Sequence, residues 1–158
     1  MPGEVFGTAV TCIDGRVHNP LRSWALERWD IDHLDLVTLP GPDRVLASGT
    51  PGEVGEVTAR VSVSGRAHAS TLLIVAGHTD CAGDPVPAAR HRAQIIEAVA
   101  RCSTLLPGWH VVGVLVHLDQ GVVRVEEVTV HADPCRSSTE TGPGVSQRPD
   151  PPSTSMDP

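Results

Sequence analysis

TLLIVAGHTDC, residues 71–81, combines an uninterrupted apolar run with side chains that can bind a metal. Its first six residues lack the alternation of a half-buried strand and are typical of a strand buried on both faces of a sheet. The run leads directly to His78 and Cys81, which are separated by two residues. The sequence therefore predicts a central strand whose carboxyl end carries an imidazole and a thiol.

The apolar segments on either side predict more strands, alternating with helices. Runs rich in β-branched residues predict four further strands, at residues 5–13, 34–39, 111–117 and 122–130. The last two flank Asp119-Gln120-Gly121 and are expected to form a hairpin. Apolar residues at helical spacing predict helices over residues 20–29, 51–65 and 85–106. This alternation predicts an α/β fold, with a mainly parallel sheet flanked by helices and an antiparallel C-terminal edge strand.

Local signals predict where two of the helices begin. Asn19-Pro20 and Asp84-Pro85 each place a capping side chain before a proline, so we expect helices to start at Pro20 and Pro85. The second of these helices is expected to bury the stripe Ala89, Ala93, Ile96 and Ala100. Residues 40–43, Pro-Gly-Pro-Asp, are predicted to be a loop that closes the second strand.

Length and composition indicate one domain at residues 1–133 and a tail at residues 134–158. The chain has 158 residues, of which 40% are apolar, enough for one core and too few residues for two ordinary domains. The tail is rich in serine, threonine, proline and glycine and has no apolar period. Because such a segment buries too little surface to compensate its ordering entropy, we expect it to be disordered.

Charge and hydropathy exclude several classes of partner. A formal net charge of −7 leaves no basic surface for nucleic acid or anionic lipid. No stretch approaches the roughly 20 apolar residues that a membrane span needs, and the first residues lack the pattern of a secretory signal. We therefore expect a cytoplasmic protein, whose four cysteines are metal ligands or free thiols rather than disulfides.

A second motif, CIDGR at residues 12–16, stands at the carboxyl end of the first predicted strand, just as His78 and Cys81 stand at the carboxyl end of the central one. Each motif alone is a weak signal, because a cysteine in an apolar strand is usually a small buried hydrophobe. Ligand sites in open α/β sheets lie outside the carboxyl ends of the strands, so neighbouring strands would bring Cys12, His78 and Cys81 together. Two thiolates and an imidazole suit zinc and leave a fourth position for water or substrate, as in catalytic sites.

Cys-x-Asp-x-Arg, followed roughly sixty residues later by His-x-x-Cys, resembles the paired motifs of the β-class carbonic anhydrases, and IVAGHTDC is especially similar to the second. The resemblance covers the predicted domain and implies Zn²⁺ as cofactor, held by Cys12, His78 and Cys81. It also implies a dyad in which Arg16 keeps Asp14 off the metal and Asp14 positions a zinc-bound hydroxide. The implied reaction is the reversible hydration of carbon dioxide to bicarbonate, with a small molecule as substrate.

The sequence departs from this family around the expected substrate pocket. Eleven residues precede Cys12, so we expect this protein to lack the N-terminal arm with which family members embrace a neighbouring subunit, and homo-oligomer formation stays an open question. Residues 39–44 replace the family's Arg-Asn-Ala-Gly-like loop. Two alternatives therefore stay open. One is a hydrolase of carbonyl sulfide or carbon disulfide, with a narrow apolar approach formed by residues 39–45. The other is a non-catalytic zinc-binding accessory protein with a fourth protein ligand.

Four other side chains give weaker signals. Asp80 either accepts a hydrogen bond from the site or caps the next turn. His117 is expected to be a structural histidine, with a proton-shuttle role as the less favoured alternative. Cys102 is predicted to be a buried and inert thiol, whereas Cys135 lies in the predicted tail as an exposed one.

Overall fold

The computed structural model describes residues 3–131, in which five strands and four helices follow one another. In chain order they are β1 (Phe6–Thr11), α1 (Gly15–Trp29), β2 (His33–Thr38), α2 (Pro42–Ser48), α3 (Pro51–His68), β3 (Leu72–His78), α4 (Ala88–Leu105), β4 (His110–Asp119) and β5 (Val122–His131). Each predicted strand is present, with ends within two residues of those expected. Cys135 and the whole predicted tail, residues 134–158, lie outside the described residues. Among residues 3–131, no helix has the length and apolar character of a membrane span.

One sheet with the strand order β2-β1-β3-β4-β5 forms the centre of the molecule. The first four strands pair in parallel, and β5 pairs antiparallel to β4 at the edge. These pairings confirm the predicted α/β fold with its antiparallel edge strand. Gln120 and Gly121 connect β4 to β5 with φ angles of 39° and 87°. Positive φ at both positions is the backbone that a two-residue hairpin turn favours.

The strand order changes direction at β1. The chain places β2 on one side of β1 and later returns to place β3 on the other, with Val10 in register with Val75. Helix α1 accordingly packs on one face of the sheet, and α2, α3 and α4 pack on the opposite face. In sheets of this kind the crevice for ligands lies outside the carboxyl ends of the strands at the reversal. All seven residues of β3 are buried, as its apolar sequence predicted.

Helix α1 begins five residues before Pro20, where the sequence predicted its start. Asp14 is the N-cap, and its side chain accepts a hydrogen bond from the backbone N–H of Arg16. The buried residues of the helix are spaced by four: Val17, Leu21 and Ala25. Because this apolar face starts before the proline, burial holds the helix together across Pro20. The prediction that Asn19 caps the helix is therefore wrong.

Helix α4 begins at Ala88 rather than at Pro85, and the buried stripe predicted for it is wrong. Ala93 is partly buried, Ile96 is 51% exposed, and the other two residues of that stripe are exposed. The helix instead buries His91, Gln94, Ile95, Ala98, Val99 and Cys102. The polar residues of this inner face are His91 and Gln94. His91 turns inward because its ring forms a hydrogen bond with the buried carboxylate of Asp43. An apolar stripe alone could not indicate that orientation.

Residues 40–43, predicted to be a loop, lead into the short helix α2, which begins at Pro42. Gly41 precedes the helix with a φ angle of 56°, a left-handed conformation that glycine adopts without strain. Asp43 and Leu46 are buried on this helix. Asp84 is not a helix cap, since it is buried in the loop before α4. The local proline and glycine pattern thus predicted the turn but missed the helix that follows it.

Gly113→Ala is expected to lower the free energy of unfolding by about 1–3 kcal/mol, because overpacking strains a filled core. A Cβ at Gly113 would lie 2.4 Å from Cγ2 of Ile95 and 2.9 Å from Cγ2 of Val99. Gly55→Ala in α3 is the matched control, since that position is exposed and its new Cβ would meet no atom within 4 Å. The control is expected to stabilise by about 0.5–1 kcal/mol. Urea unfolding measures both, and equal effects would contradict this packing of α4 on β4.

Candidate metal centre

Cys12, His78 and Cys81 meet at the carboxyl ends of the two central strands. Cys12 directly follows β1, His78 is the last residue of β3, and Cys81 lies in the loop that follows β3. Their ligating atoms all lie within 4.8 Å of one another, and the three residues are 4%, 1% and 3% exposed. The parallel pairing of β1 with β3 brings these residues together, as the sequence predicted.

The distance between the two sulfur atoms fits two ligands of one tetrahedral ion. Sγ of Cys12 and Sγ of Cys81 are 3.9 Å apart, and both cysteines are free. A disulfide would need a distance of about 2.05 Å. Two thiolates that each lie about 2.3 Å from a tetrahedral zinc are separated by about 3.8 Å. The pair therefore has the spacing of co-ligands.

The imidazole of His78 presents one nitrogen to this cluster. Its Nδ1–H donates a hydrogen bond of 2.7 Å to the backbone carbonyl of Thr79, which fixes the tautomer and leaves the lone pair on Nε2. Nε2 is buried and has no hydrogen-bond partner among the described residues. A buried lone pair without a partner is costly, and a metal ligand of this kind is commonly oriented by a hydrogen bond from its other nitrogen. The residues present thus fit a metal ion.

Strand β4 holds the loop between the two ligands of the second motif. The backbone N–H of Thr79 donates to the carbonyl of Val116 at 3.0 Å, and the hydroxyl of Thr79 accepts from the N–H of Leu118 at 2.9 Å. Asp80 follows with a φ angle of 55°, which turns the chain so that Cys81 points back to the cluster. Two bonds to a central strand therefore fix the spacing of His78 and Cys81.

Burial shapes the chemistry of the thiols. Desolvation, with a further contribution from the neighbouring Cys12, raises the pKa of the Cys81 thiol. A bound dication would act in the opposite direction, because thiols that coordinate a metal are deprotonated. Cys102, which lies on α4 outside this cluster, is also buried, and desolvation raises its pKa to about 11. A thiol so rarely ionised at neutral pH is a poor nucleophile, which agrees with the predicted inert role.

Asp14 and Arg16 form a close ion pair at the start of α1. Nη2 of Arg16 lies 2.6 Å from Oδ2 of Asp14, and Nε lies 3.1 Å from both carboxylate oxygens. The hydrogen bonds from the Arg16 side chain, helped by its backbone N–H, lower the pKa of Asp14 to about 2. Among residues 3–131, the cluster of mutually close ligating atoms does not include Asp14. The carboxylate is thus ionised at neutral pH and is held by the guanidinium.

Asp80 is the second partner of Arg16. Nη1 of Arg16 donates to Oδ2 of Asp80 at 3.1 Å, and Nη2 donates to the Asp80 carbonyl at 3.3 Å. Of the two roles that the sequence left open for Asp80, the structure shows the hydrogen bond to the site. These bonds connect the first motif to the second across the crevice. The side chains of Arg16 and Asp80 are 54% and 75% exposed, so this part of the network faces solvent.

A cavity of about 440 Å³ opens beside Cys81. The cavity is lined by the ion pair of Arg16 with Asp80, by Cys81, and by the apolar residues Ala82, Pro85 and Val86. None of residues 39–45, where the sequence placed a narrow approach to the metal, belongs to this lining. Those residues include the buried start of α2 instead. The cavity beside Cys81 is thus formed by the loop after β3 together with Arg16 of α1.

His117 is held by a carboxylate on β5. Its Nε2 lies 2.6 Å from Oε2 of Glu126, which also accepts two hydrogen bonds from Arg92, of 2.8 and 2.9 Å. Arg92, and then His117, lower the pKa of Glu126 to about 2. His117 is buried at 6% exposure. A histidine fixed in this way agrees with the structural role predicted for it.

A second group of buried ligating side chains, which the sequence did not predict, is formed by Asp43, Asp84 and His91. Asp43 lies in the first turn of α2, Asp84 in the loop after Cys81, and His91 on α4. The signals were obscured because Asp84 resembled a helix cap and Asp43 lay in a predicted turn. Only the tertiary structure places His91, 48 residues from Asp43 in the chain, beside it.

Replacing Arg16 by glutamine is expected to raise the pKa of Asp14 from about 2 toward its ordinary value of 3.8, because the main hydrogen bonds to the carboxylate are removed. Since the pKa in the folded state is depressed, ionised Asp14 stabilises the fold above about pH 4, and this contribution is lost as the pH falls toward 2. Carbon-13 NMR of labelled aspartates in the metal-free protein measures the midpoint. Arg92→Gln is the control and should leave Asp14 unchanged. An unaltered midpoint in Arg16→Gln would contradict the assigned cause.

Comparison with known proteins agrees with this geometry. A sequence profile of the family described as "Putative carbonic anhydrase" matches residues 2–128, a span that includes all four helices and both motifs. No curated protein matches the sequence. The profile covers most of the 158 residues, and the paired motifs predicted the same relationship. The chain therefore belongs to this carbonic anhydrase-like family.

Proposed function

We propose that this protein catalyses the reversible hydration of carbon dioxide to bicarbonate, with a zinc ion held by Cys12, His78 and Cys81. The observation that carries the proposal is the buried Nε2 of His78, which has no hydrogen-bond partner among residues 3–131 and lies beside two free thiols whose sulfurs are 3.9 Å apart. Three protein ligands leave a fourth position open, which is the arrangement of catalytic rather than structural zinc sites. Membership of a carbonic anhydrase-like family supports the same reaction.

Zinc fits this donor set better than the other common divalent ions. Thiolates are soft ligands that select zinc over magnesium, calcium or manganese, and imidazole is compatible with them. Two thiolates also balance the charge of the dication in a site with almost no exposed surface. When bound, zinc would supply Lewis acidity, lowering the pKa of a coordinated water from about 15.7 toward neutrality.

Asp14 is proposed to orient the attacking water. Its pKa of about 2 means that the carboxylate is ionised throughout the physiological pH range and acts only as a hydrogen-bond acceptor. An acceptor beside the cluster can take a hydrogen bond from water and direct the oxygen lone pair at the carbon of carbon dioxide. In the overall reaction the new bond joins that oxygen to the carbon, and one proton is released to buffer.

Arg16 is proposed to keep Asp14 available for this role. A free carboxylate next to a zinc ion is itself a good ligand and could close the open position. Arg16 contacts both carboxylate oxygens, and Asp80 fixes the guanidinium from the other side. An arginine is suited to this task because its planar group binds a carboxylate through two parallel hydrogen bonds and does not lose its charge.

Stopped-flow measurement of carbon dioxide hydration on zinc-verified protein tests the proposal. Asp14→Ala is expected to keep the metal and to lower kcat/KM on the order of 100-fold, the effect of misplacing a reacting group. Cys12→Ser is expected to lose zinc and activity together. Asp35→Ala removes an aspartate that pairs with His68 on the surface and is the matched control, with unchanged activity expected.

Two results would contradict the proposal. Zinc-loaded wild type that does not hydrate carbon dioxide between pH 7 and 9 would refute the reaction, and turnover of carbonyl sulfide or carbon disulfide by the same sample would reassign the substrate. Full activity in Asp14→Ala would instead refute the role of that carboxylate. An acidic limb in the pH profile cannot come from Asp14 above about pH 4, since its pKa is about 2.

Arg16→Gln is expected to retain zinc but lose most activity, because the released Asp14 carboxylate can reach the open position. The carboxylate would replace the solvent oxygen at the open position, so X-ray absorption of the zinc-loaded variant should show the added scattering of a carboxylate carbon, and this signal should disappear in the double variant Asp14→Ala/Arg16→Gln. Arg92→Gln serves as the control, since Arg92 binds Glu126 instead. Wild-type activity in Arg16→Gln would show that the carboxylate needs no restraint.

A further inference from the structure

A second group of ligating side chains, Asp43, Asp84 and His91, is buried behind the loop of the metal centre. Their relative exposures are 1%, 4% and 0%, and one ligating atom from each lies within 4.8 Å of those of the other two. The three come from different elements, α2, the loop after Cys81 and α4. None of them belongs to the cluster of Cys12, His78 and Cys81.

The hydrogen bonds within this group leave one carboxylate oxygen without a partner. Nδ1 of His91 lies 2.6 Å from Oδ2 of Asp43, and the same nitrogen lies 3.9 Å from Oδ2 of Asp84. Oδ2 of Asp84 is buried and has no hydrogen-bond partner among the described residues. Arg44 reaches only the other oxygen, with Nε 3.9 Å from Oδ1, and its side chain is half exposed. The inner oxygen of Asp84 therefore points into the group without a donor.

The described residues place little positive charge beside the two carboxyl groups. Among residues 3–131, Arg44 is the arginine that lies within 4.0 Å of either carboxyl group, and its side chain is half exposed. Burying a charge without a close partner is strongly unfavourable, and an exposed contact at 3.9 Å compensates it only weakly. A divalent cation between the side chains would replace the proton in the hydrogen bond between His91 and Asp43, and it would give the partnerless oxygen of Asp84 a ligand bond.

We propose that Asp43, Asp84 and His91 form a second divalent-cation site, separate from the cysteine-containing centre. Its donors are two carboxylates and an imidazole, with no sulfur, a set that can bind hard ions such as Mn²⁺ or Fe²⁺ and lacks the thiolates that make the first cluster prefer zinc. The proposal does not rest on the hydration reaction, because the two donor sets share no residue.

The site lies against the backbone that carries the zinc ligands. A Cβ added to Gly77, the residue before His78, would lie 2.8 Å from Oδ2 of Asp43. Asp84 follows Cys81 by three residues, and its backbone N–H donates to the Cys81 carbonyl at 3.3 Å. A cation in this position would therefore tie α2 and α4 to both ends of the ligand loop.

The test is a titration of the full chain with Mn²⁺ after one equivalent of zinc has been bound. Electron paramagnetic resonance of free Mn²⁺ gives the bound fraction, and we expect saturation at one Mn²⁺ per chain together with a Mn²⁺-dependent rise in Tm. Asp84→Asn is expected to weaken this binding at least tenfold, and Asp43→Asn likewise. Asp35→Asn is the matched control, because the exposed His68–Asp35 pair has the same 2.6 Å separation as His91 and Asp43.

The wild-type titration is decisive even where a variant does not fold. Absence of saturable Mn²⁺ binding in the zinc-loaded protein, with no rise in Tm, would overturn the proposal and identify the group as a hydrogen-bonded network of buried charges. Equal Mn²⁺ affinity in wild type and in folded Asp84→Asn would overturn it as well, since the ion would then bind elsewhere. Carbon dioxide hydration measured on the zinc-only protein separates this outcome from failure of the proposed function.

Discussion

The parallel pairing of β1 with β3 is the constraint on which the rest of the structure depends. Because the chain turns to opposite sides after β1, these neighbours end at the same edge of the sheet with no strand between them. Cys12 and His78 therefore meet at the reversal, although 65 residues lie between them in the sequence. The complete burial of β3 follows from helices on both faces, and it also removes water from around the ligand cluster.

Burial from solvent and the need to neutralise charge together determine how the polar groups at this edge of the sheet are paired. The sulfur of Cys81 is buried where ionisation is unfavourable, so its thiolate form needs a cation. Asp14 stands closer to solvent and is neutralised by Arg16, which in turn is shared with Asp80. The buried cluster thus consists of side chains that could hold a metal ion, whereas the more exposed Asp14, Arg16 and Asp80 are neutralised by one another. The same edge of the sheet therefore holds the buried candidate cluster and, nearer to solvent, the charged side chains that line the cavity beside it.

The sequence predicted those elements whose position depends on neighbouring residues in the chain, and it missed features that depend on contacts between distant residues. The run at residues 71–76 is apolar on both faces, and no other environment suits it, so strand β3 and the two motifs beside it were predictable. The start of α1 was missed because Asn19-Pro20 has the form of a cap, while the true cap, Asp14, also belongs to the motif. The inner face of α4 was missed for a different reason. His91 faces inward only because Asp43 is there to receive it, and that pairing exists only in the folded chain.

The two buried groups of ligating side chains are arranged around the end of strand β3 and the loop that follows it. Strand β3 ends in Gly77, whose missing side chain leaves room for the carboxylate of Asp43 on one face, and in His78, whose ring turns to the cysteines on the other. Any larger residue at position 77 would push the carboxylate away. The glycine thus couples the packing of α2 to the position of His78, the candidate metal ligand that follows it. Because Thr79 bonds the loop to β4 and Asp84 is buried at the other end of the loop, the shape of the loop is determined by the core rather than by solvent-exposed contacts.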